Sequence, residues 1–126
     1  HNLLSGASEF FLNKKISYDV VRVPGALEIA QTIKFHHENN QENYDGFLAL
    51  GCVIKGDTYH FEIVANESAR ALSDLSIHFS LPIANGILTT YNKNQALERS
   101  NTKKLNKGKE TAMACLTLIN IKQKLH

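Results

Sequence analysis

The chain has 126 residues, the size of a single domain built around one hydrophobic core. Fourteen Lys and Arg against 12 Asp and Glu leave a net charge of +2, too small an excess to mark a nucleic-acid binder. No apolar run approaches the roughly 18 residues of a membrane span, and no signal peptide is visible in the opening His1-Asn2-Leu3-Leu4; the two widely separated cysteines fit the reducing cytoplasm, which is the expected location.

Leu3, Leu4, Ala7, Phe10 and Phe11 recur at helical spacing and predict an amphipathic first helix ended by Asn13-Lys14-Lys15. Val20-Val21-Arg22-Val23 is β-branched and short, and predicts a strand stopped by Pro24. After Pro24-Gly25 a second helix is expected to carry Leu27, Ala30 and Ile33 inward. It should run out in the polar stretch His36 to Gln41. The continuous apolar run from Phe47 to Ile54 reads as a strand buried on both faces, as in parallel sheets. Val64, Ala71, Leu72, Leu75 and Phe79 trace the inward stripe of a helix over about 59–79. Pro82 to Thr89 reads as another buried strand, followed by a short polar helix near Asn94 to Arg99. The last helix, about 109–125, has two apolar stripes: Ala112, Leu116 and Ile119, then Ala114, Leu118 and Ile121. One stripe would serve the core and the other a partner.

This alternation of helices and strands predicts an α/β fold with parallel strands and helices on both faces of the sheet. Cys52 and Cys115 form no C-x-x-C pair and have apolar neighbours, so both are expected to be buried thiols in a reducing compartment. His36 and His37 are adjacent on a helix and diverge, so no metal site is expected.

Ligands of open α/β sheets bind beyond the carboxyl ends of the strands. The loop after Ile54 reads Lys55-Gly56-Asp57-Thr58-Tyr59-His60. Gly56 permits a tight turn, and Asp57 or Thr58 can cap the following helix, whose free N–H groups suit a phosphate. Asp57 can equally be no more than the cap; Thr58 brings a hydroxyl as well as an N–H. His60 falls in the first helical turn, where the dipole opposes the imidazolium and favours a neutral ring able to carry a proton. The plainer alternative is a surface histidine. Glu28 either complements a helix dipole or accepts hydrogen bonds from a polyhydroxylated substrate. Arg99, Lys103, Lys104, Lys107 and Lys109 make a basic cluster that is either solvated surface or, in one or two members, a phosphate hold.

Together these loops resemble the lumazine synthase family. The matching pieces are Val23-Pro24-Gly25-Ala26-Leu27-Glu28-Ile29, Gly51-Cys52-Val53-Ile54-Lys55-Gly56-Asp57-Thr58-Tyr59-His60-Phe61 and Val64-Ala65-Asn66-Glu67. Further on come Gly86-Ile87-Leu88-Thr89-Thr90, Gln95-Ala96-Leu97-Glu98-Arg99 and Asn106-Lys107-Gly108. The resemblance implies a flavodoxin-like three-layer α/β/α sandwich in one domain over residues 1–126. It implies a riboflavin-biosynthesis transferase that condenses 5-amino-6-(ribitylamino)uracil with 3,4-dihydroxy-2-butanone 4-phosphate to 6,7-dimethyl-8-ribityllumazine, releasing phosphate and water. By the same resemblance His60 transfers protons, while Asp57, Thr58, Arg99 and Lys107 hold the phosphate. Ala26, Leu27 and Glu28 receive the ribityl chain and uracil, and Cys52, Val53 and Ile54 offer backbone groups to the pyrimidine. No cofactor is implied. Family members assemble as pentamers, sometimes as capsids of twelve, with Asn85 and Arg99 supplied by the adjacent subunit.

The sequence departs from the family in three places. The family's first strand ends in an Arg-Phe-Asn-like motif whose ring stacks on the pyrimidine; no such segment precedes His1, and residues upstream of His1 are expected to complete the domain. Asn101 and Lys104-Leu105 replace the glycines usual before the last helix, which favours a lone pentamer over a capsid. Asn85 occupies a position that is often aromatic. Two rival functions are a non-catalytic flavodoxin-like module holding a flavin or lumazine, which would not need His60, and a basic nucleic-acid binder, which the near-balanced charge disfavours.

Overall fold

The computed structural model of the chain describes residues 1–39 and 43–125. Helix α1 (Asn2–Asn13) buries Leu3, Ala7 and Phe10 along one stripe, as its spacing predicts. A 3-10 turn over Ala26–Glu28 leads directly into α2 (Ile29–Glu38). Strand β1 (Phe47–Ile54) is followed by α3 (His60–Phe79), β2 (Ile83–Thr90), α4 (Lys93–Ser100) and α5 (Lys107–Lys124).

The two strands are parallel and in register from Phe47 opposite Ile83 to Ile54 opposite Thr90. Side chains alternate across a strand, and each face of this sheet has its own core. On one face Ile33 of α2 and Leu72 and Leu75 of α3 pack with Ala49, Leu81 and Ile83. On the other, Ala7 and Phe10 of α1 and Ala112 of α5 pack with Leu48, Leu50 and Leu116. The result is helices, parallel sheet, helices: the three-layer α/β sandwich expected. Full burial of a Leu or Ile is worth about 1.5–3 kcal/mol of transfer free energy, and the buried ones in these clusters, 2–9% exposed, approach that value.

Close backbone approach joins α1 to α5. A Cβ on Gly108 would collide with the carbonyl oxygen of Leu3, so only glycine lets the two helices meet there. The amino end of α5 is set by Asn106, whose Oδ1 accepts the Lys109 N–H at 3.3 Å.

Several expectations fail, each for a physical reason. The predicted strand at Val20–Val23 does not form: among the described residues the sheet holds β1 and β2 only, and Val20 and Val21 are about half exposed. β-branched side chains favour a strand only where a neighbour can take up the backbone groups. Leu27, expected inward with Ala30 and Ile33, is 43% exposed because it lies in the 3-10 turn, out of phase with the stripe of α2. The polar run after His36 does end α2, at Glu38, while Asn40 and Gln41 lie outside the described residues. Burial of β1 on both faces stops at Gly51, and Cys52 and Ile54 at the carboxyl end are exposed. Phe79 closes α3 on the surface, where the Lys34 ammonium sits 4.8 Å from its ring centre. The two stripes of α5 separate as expected: Ala112, Leu116 and Ile119 turn inward, while Ala114, Leu118 and Ile121 are exposed.

Candidate active site

The carboxyl end of β1 opens into the loop Lys55–Tyr59. The strand's pairing carries one step beyond it, since the Lys55 N–H donates to the Thr90 carbonyl at 2.9 Å, and the chain then turns away through exposed Gly56, Asp57 and Thr58. The Thr58 hydroxyl accepts the N–H of His60 at 3.3 Å, which fastens the loop to the first residue of α3. Neither expected residue caps the helix: the cap position is Tyr59, without a side-chain bond, and Thr58 makes only a local turn to His60, leaving the Asp57 carboxylate exposed. The other first-turn amides of this 20-residue helix carry its positive dipole end toward the loop. His60 is itself exposed, open to anything bound over the loop.

The turn Ala26–Glu28 packs against both β1 and α3. Glu28 is tied there by its backbone: its N–H donates to Gly25 at 3.2 Å, and its carbonyl accepts the Thr32 hydroxyl at 2.8 Å. Its carboxylate stays partly exposed. Cys52, Val53 and Ile54 complete this side as the last residues of β1. Cys52 is exposed rather than buried, because it lies beyond the reach of the α1–α5 core. Partial burial still raises its thiol pKa, opposed by a side-chain hydrogen bond with Thr90.

Cys52, Val53, Ile54, Asp57, Thr58 and His60 thus follow one another at the carboxyl end of β1, and the turn carrying Ala26, Leu27 and Glu28 packs against that strand and α3. The remaining predicted residues stand elsewhere on the chain. Asn85 pairs with Ala49 in the body of the sheet, five residues before Thr90, which is roughly 16 Å back along β2 at about 3.3 Å per residue. It is exposed, and its Oδ1 accepts the Ile87 N–H at 2.9 Å. Arg99 lies near the end of α4, half-buried, with Nη1 donating to the Gln95 carbonyl at 3.1 Å. Lys107 begins α5 and is paired with Glu110 at 3.0 Å.

Sequence reasoning passed over Tyr91, the first residue beyond β2. Its ring lies 6.3 Å from that of Phe61 and 5.5 Å from the Lys55 ammonium. An aromatic residue directly after a strand at the ligand-binding edge was the available signal. No cluster of three or more His, Cys, Asp or Glu able to hold a metal occurs among the described residues. Nor is any described helix long and apolar enough to cross a membrane.

Known proteins resemble this chain throughout. The family model described as 6,7-dimethyl-8-ribityllumazine synthase matches residues 1–123. A 6,7-dimethyl-8-ribityllumazine synthase of Bartonella henselae is 52% identical over 97% of this chain and 79% of the relative. One from Bartonella tribocorum is 52% identical over 97% of the chain and 80% of the relative. Another, from Agrobacterium fabrum, is 50% identical over 98% of the chain and 85% of the relative. With the three-layer fold and the loop motifs at the sheet's carboxyl edge, these matches show that the chain belongs to the 6,7-dimethyl-8-ribityllumazine synthase family.

Proposed function

We propose that this protein is a riboflavin-biosynthesis transferase that joins 5-amino-6-(ribitylamino)uracil to 3,4-dihydroxy-2-butanone 4-phosphate, yielding 6,7-dimethyl-8-ribityllumazine, phosphate and water. The observation that carries the reading is the placement of His60: exposed on the first turn of α3, bonded through its N–H to Thr58, at the carboxyl end of β1. In this role the Gly56–Thr58 loop and the amides of α3 hold the phosphate, and the turn Ala26–Glu28 receives the ribityl hydroxyls. The carboxyl end of β1 (Cys52, Val53, Ile54) lies along the pyrimidine. Imine formation with loss of water, elimination of phosphate and ring closure each need protons moved between two bound reactants, so tight co-localisation with one imidazole in reach supplies much of the acceleration, and no cofactor is required.

The active unit in this proposal is a homopentamer in the cytoplasm rather than a capsid, with Asn85 and Arg99 serving a neighbouring subunit's site and Lys107 a further cation for the phosphate. The distance of Asn85 from its own chain's loop supports the shared site. The exposed stripe Ala114, Leu118 and Ile121 supports burial against another subunit.

The test follows the fluorescent lumazine product with both substrates present, in the wild type and in His60→Ala. The expected result is turnover above the spontaneous rate, reduced about 10²–10⁴-fold in the variant. Flavin binding without turnover would instead identify a non-catalytic module. Sedimentation tests the assembly, and a stable monomer with full activity would refute the shared site.

A further inference from the structure

Tyr91 is 68% exposed, yet its ring is engaged from two sides. The Lys55 ammonium nitrogen lies 5.5 Å from the ring centroid. The Phe61 ring lies 6.3 Å away, with the planes inclined at 36°. Lys55 opens the loop and Phe61 lies in the first turn of α3 just past it; between them stand Gly56, Asp57, Thr58, Tyr59 and His60. A single aromatic side chain thus touches both ends of the segment that carries the candidate phosphate and proton-transfer groups.

Its own backbone is firmly held. The Tyr91 N–H donates to Gln95 Oε1 at 2.9 Å, and Asn92 Oδ1 accepts the Gln95 N–H at 2.8 Å, closing the corner between β2 and α4. On the other side, the Lys55 N–H is bonded to the Thr90 carbonyl at 2.9 Å. The ring therefore stands on a rigid corner, while the loop it touches has little packing of its own. A lysine has a flexible four-carbon stem, and ordering it for an anion costs rotamer entropy at the moment of binding. Attraction to the ring face removes part of that cost beforehand.

The geometry points to Tyr91 as a positioning residue that closes the Lys55–Phe61 loop at its base and holds the Lys55 ammonium as an added cation for the substrate's phosphate. This rests on reading Gly56–Thr58 as the phosphate loop. The ring face does the work, so the phenolic oxygen is dispensable.

The test compares Tyr91→Ala, Tyr91→Phe, Lys55→Ala and the Lys55→Ala/Tyr91→Ala double variant in the full chain. Inorganic phosphate is titrated over a range of salt concentrations, and KM for each substrate is measured alongside kcat. Tyr91→Ala should weaken phosphate about two- to fivefold, raise KM for the phosphorylated ketone equally and flatten the salt dependence. Its kcat and its KM for the uracil substrate should hold. Tyr91→Phe should behave as wild type, and the double variant should be no worse than Lys55→Ala. Unchanged phosphate affinity in Tyr91→Ala overturns the inference, as does equal damage from Tyr91→Phe or a purely additive double variant. A wild type that shows this phosphate series but makes no lumazine refutes the proposed function and leaves the clamp standing. Turnover with a flat series does the reverse.

Discussion

Replacing Gly108 with Ala sets two effects of opposite sign against each other. Alanine gains up to about 1 kcal/mol of helix propensity over glycine. Against this, the added Cβ would overlap the Leu3 carbonyl oxygen and come within 2.8 Å of its carbon and 3.0 Å of its Cα. All three are backbone atoms of α1, so no rotamer change relieves the clash; α1 and α5 must separate. That loosens a contact in which Leu3 is 6% and Ala112 0% exposed. Forced overpacking costs about 1–3 kcal/mol, and an overlap with immovable backbone belongs at the upper end, about 2–3, which leaves a net loss of roughly 1–2 kcal/mol. In urea unfolding at fixed protein concentration this lowers the midpoint by roughly 0.5–1 M. Two other glycines calibrate the result. A Cβ on Gly86 meets Thr111 Oγ1 at 2.7 Å and both Thr111 Cγ2 and Leu50 Cδ2 at 2.9 Å; Thr111 is buried and its hydroxyl is bonded to the Lys107 carbonyl, so Gly86→Ala should destabilise as well. Gly56 has nothing within 4 Å, so the stability of Gly56→Ala should stay within about 0.5 kcal/mol of wild type. A Gly108→Ala midpoint at or above that of wild type would refute the reasoning.

The two thiols should behave differently. Cys115 is 3% exposed and burial pushes its pKa to about 11, whereas Cys52 is exposed, so an alkylating reagent near pH 8 should label Cys52 alone until the chain unfolds. Raising a thiol's pKa favours the folded state's proton, so this contribution is complete below pH 9, the ordinary thiol value, and is lost as pH climbs from there to about 11. Cys115→Ser should shrink that alkaline loss in a pH series of urea midpoints; an unchanged slope would count against it. Asn92→Ala removes the side-chain acceptor of the Gln95 N–H and should cost about 1 kcal/mol by thermal or urea unfolding. Asn92→Asp should restore most of it, and equal losses in both variants would exclude capping as the cause.

Where periodic burial sets an element, the sequence was a good guide. The stripe of α1, the inward and outward faces of α5, and both paired strands lie within a residue or two of their expected places. What could not be read locally depends on partners. Val20–Val23 has the composition of a strand but finds no neighbour. Leu27 has the spacing of a core residue, but the 3-10 turn rotates it outward. Cys52 has apolar neighbours in sequence and an open strand end in space. At the site, the loop from Gly56 to His60 was legible because strand, glycine turn and helix follow each other directly, although the side-chain cap expected from Asp57 or Thr58 does not form. The contact of Tyr91 with both ends of that loop was not, because it requires β1 and β2 to be parallel and in register before residues 55, 61 and 91 can meet.

The Asn85 side chain has a consequence for what can meet it. Bonds from Phe47 N to Pro82 O and from Lys55 N to Thr90 O show that even-numbered residues of β2 face β1, so the Ile87 N–H points to the sheet's outer edge. Asn85 Oδ1 accepts from that amide. That bond uses one of the two lone pairs of the oxygen and keeps an outward-facing N–H occupied within the chain. An aromatic residue in its place would bare an edge amide to which a foreign strand could attach.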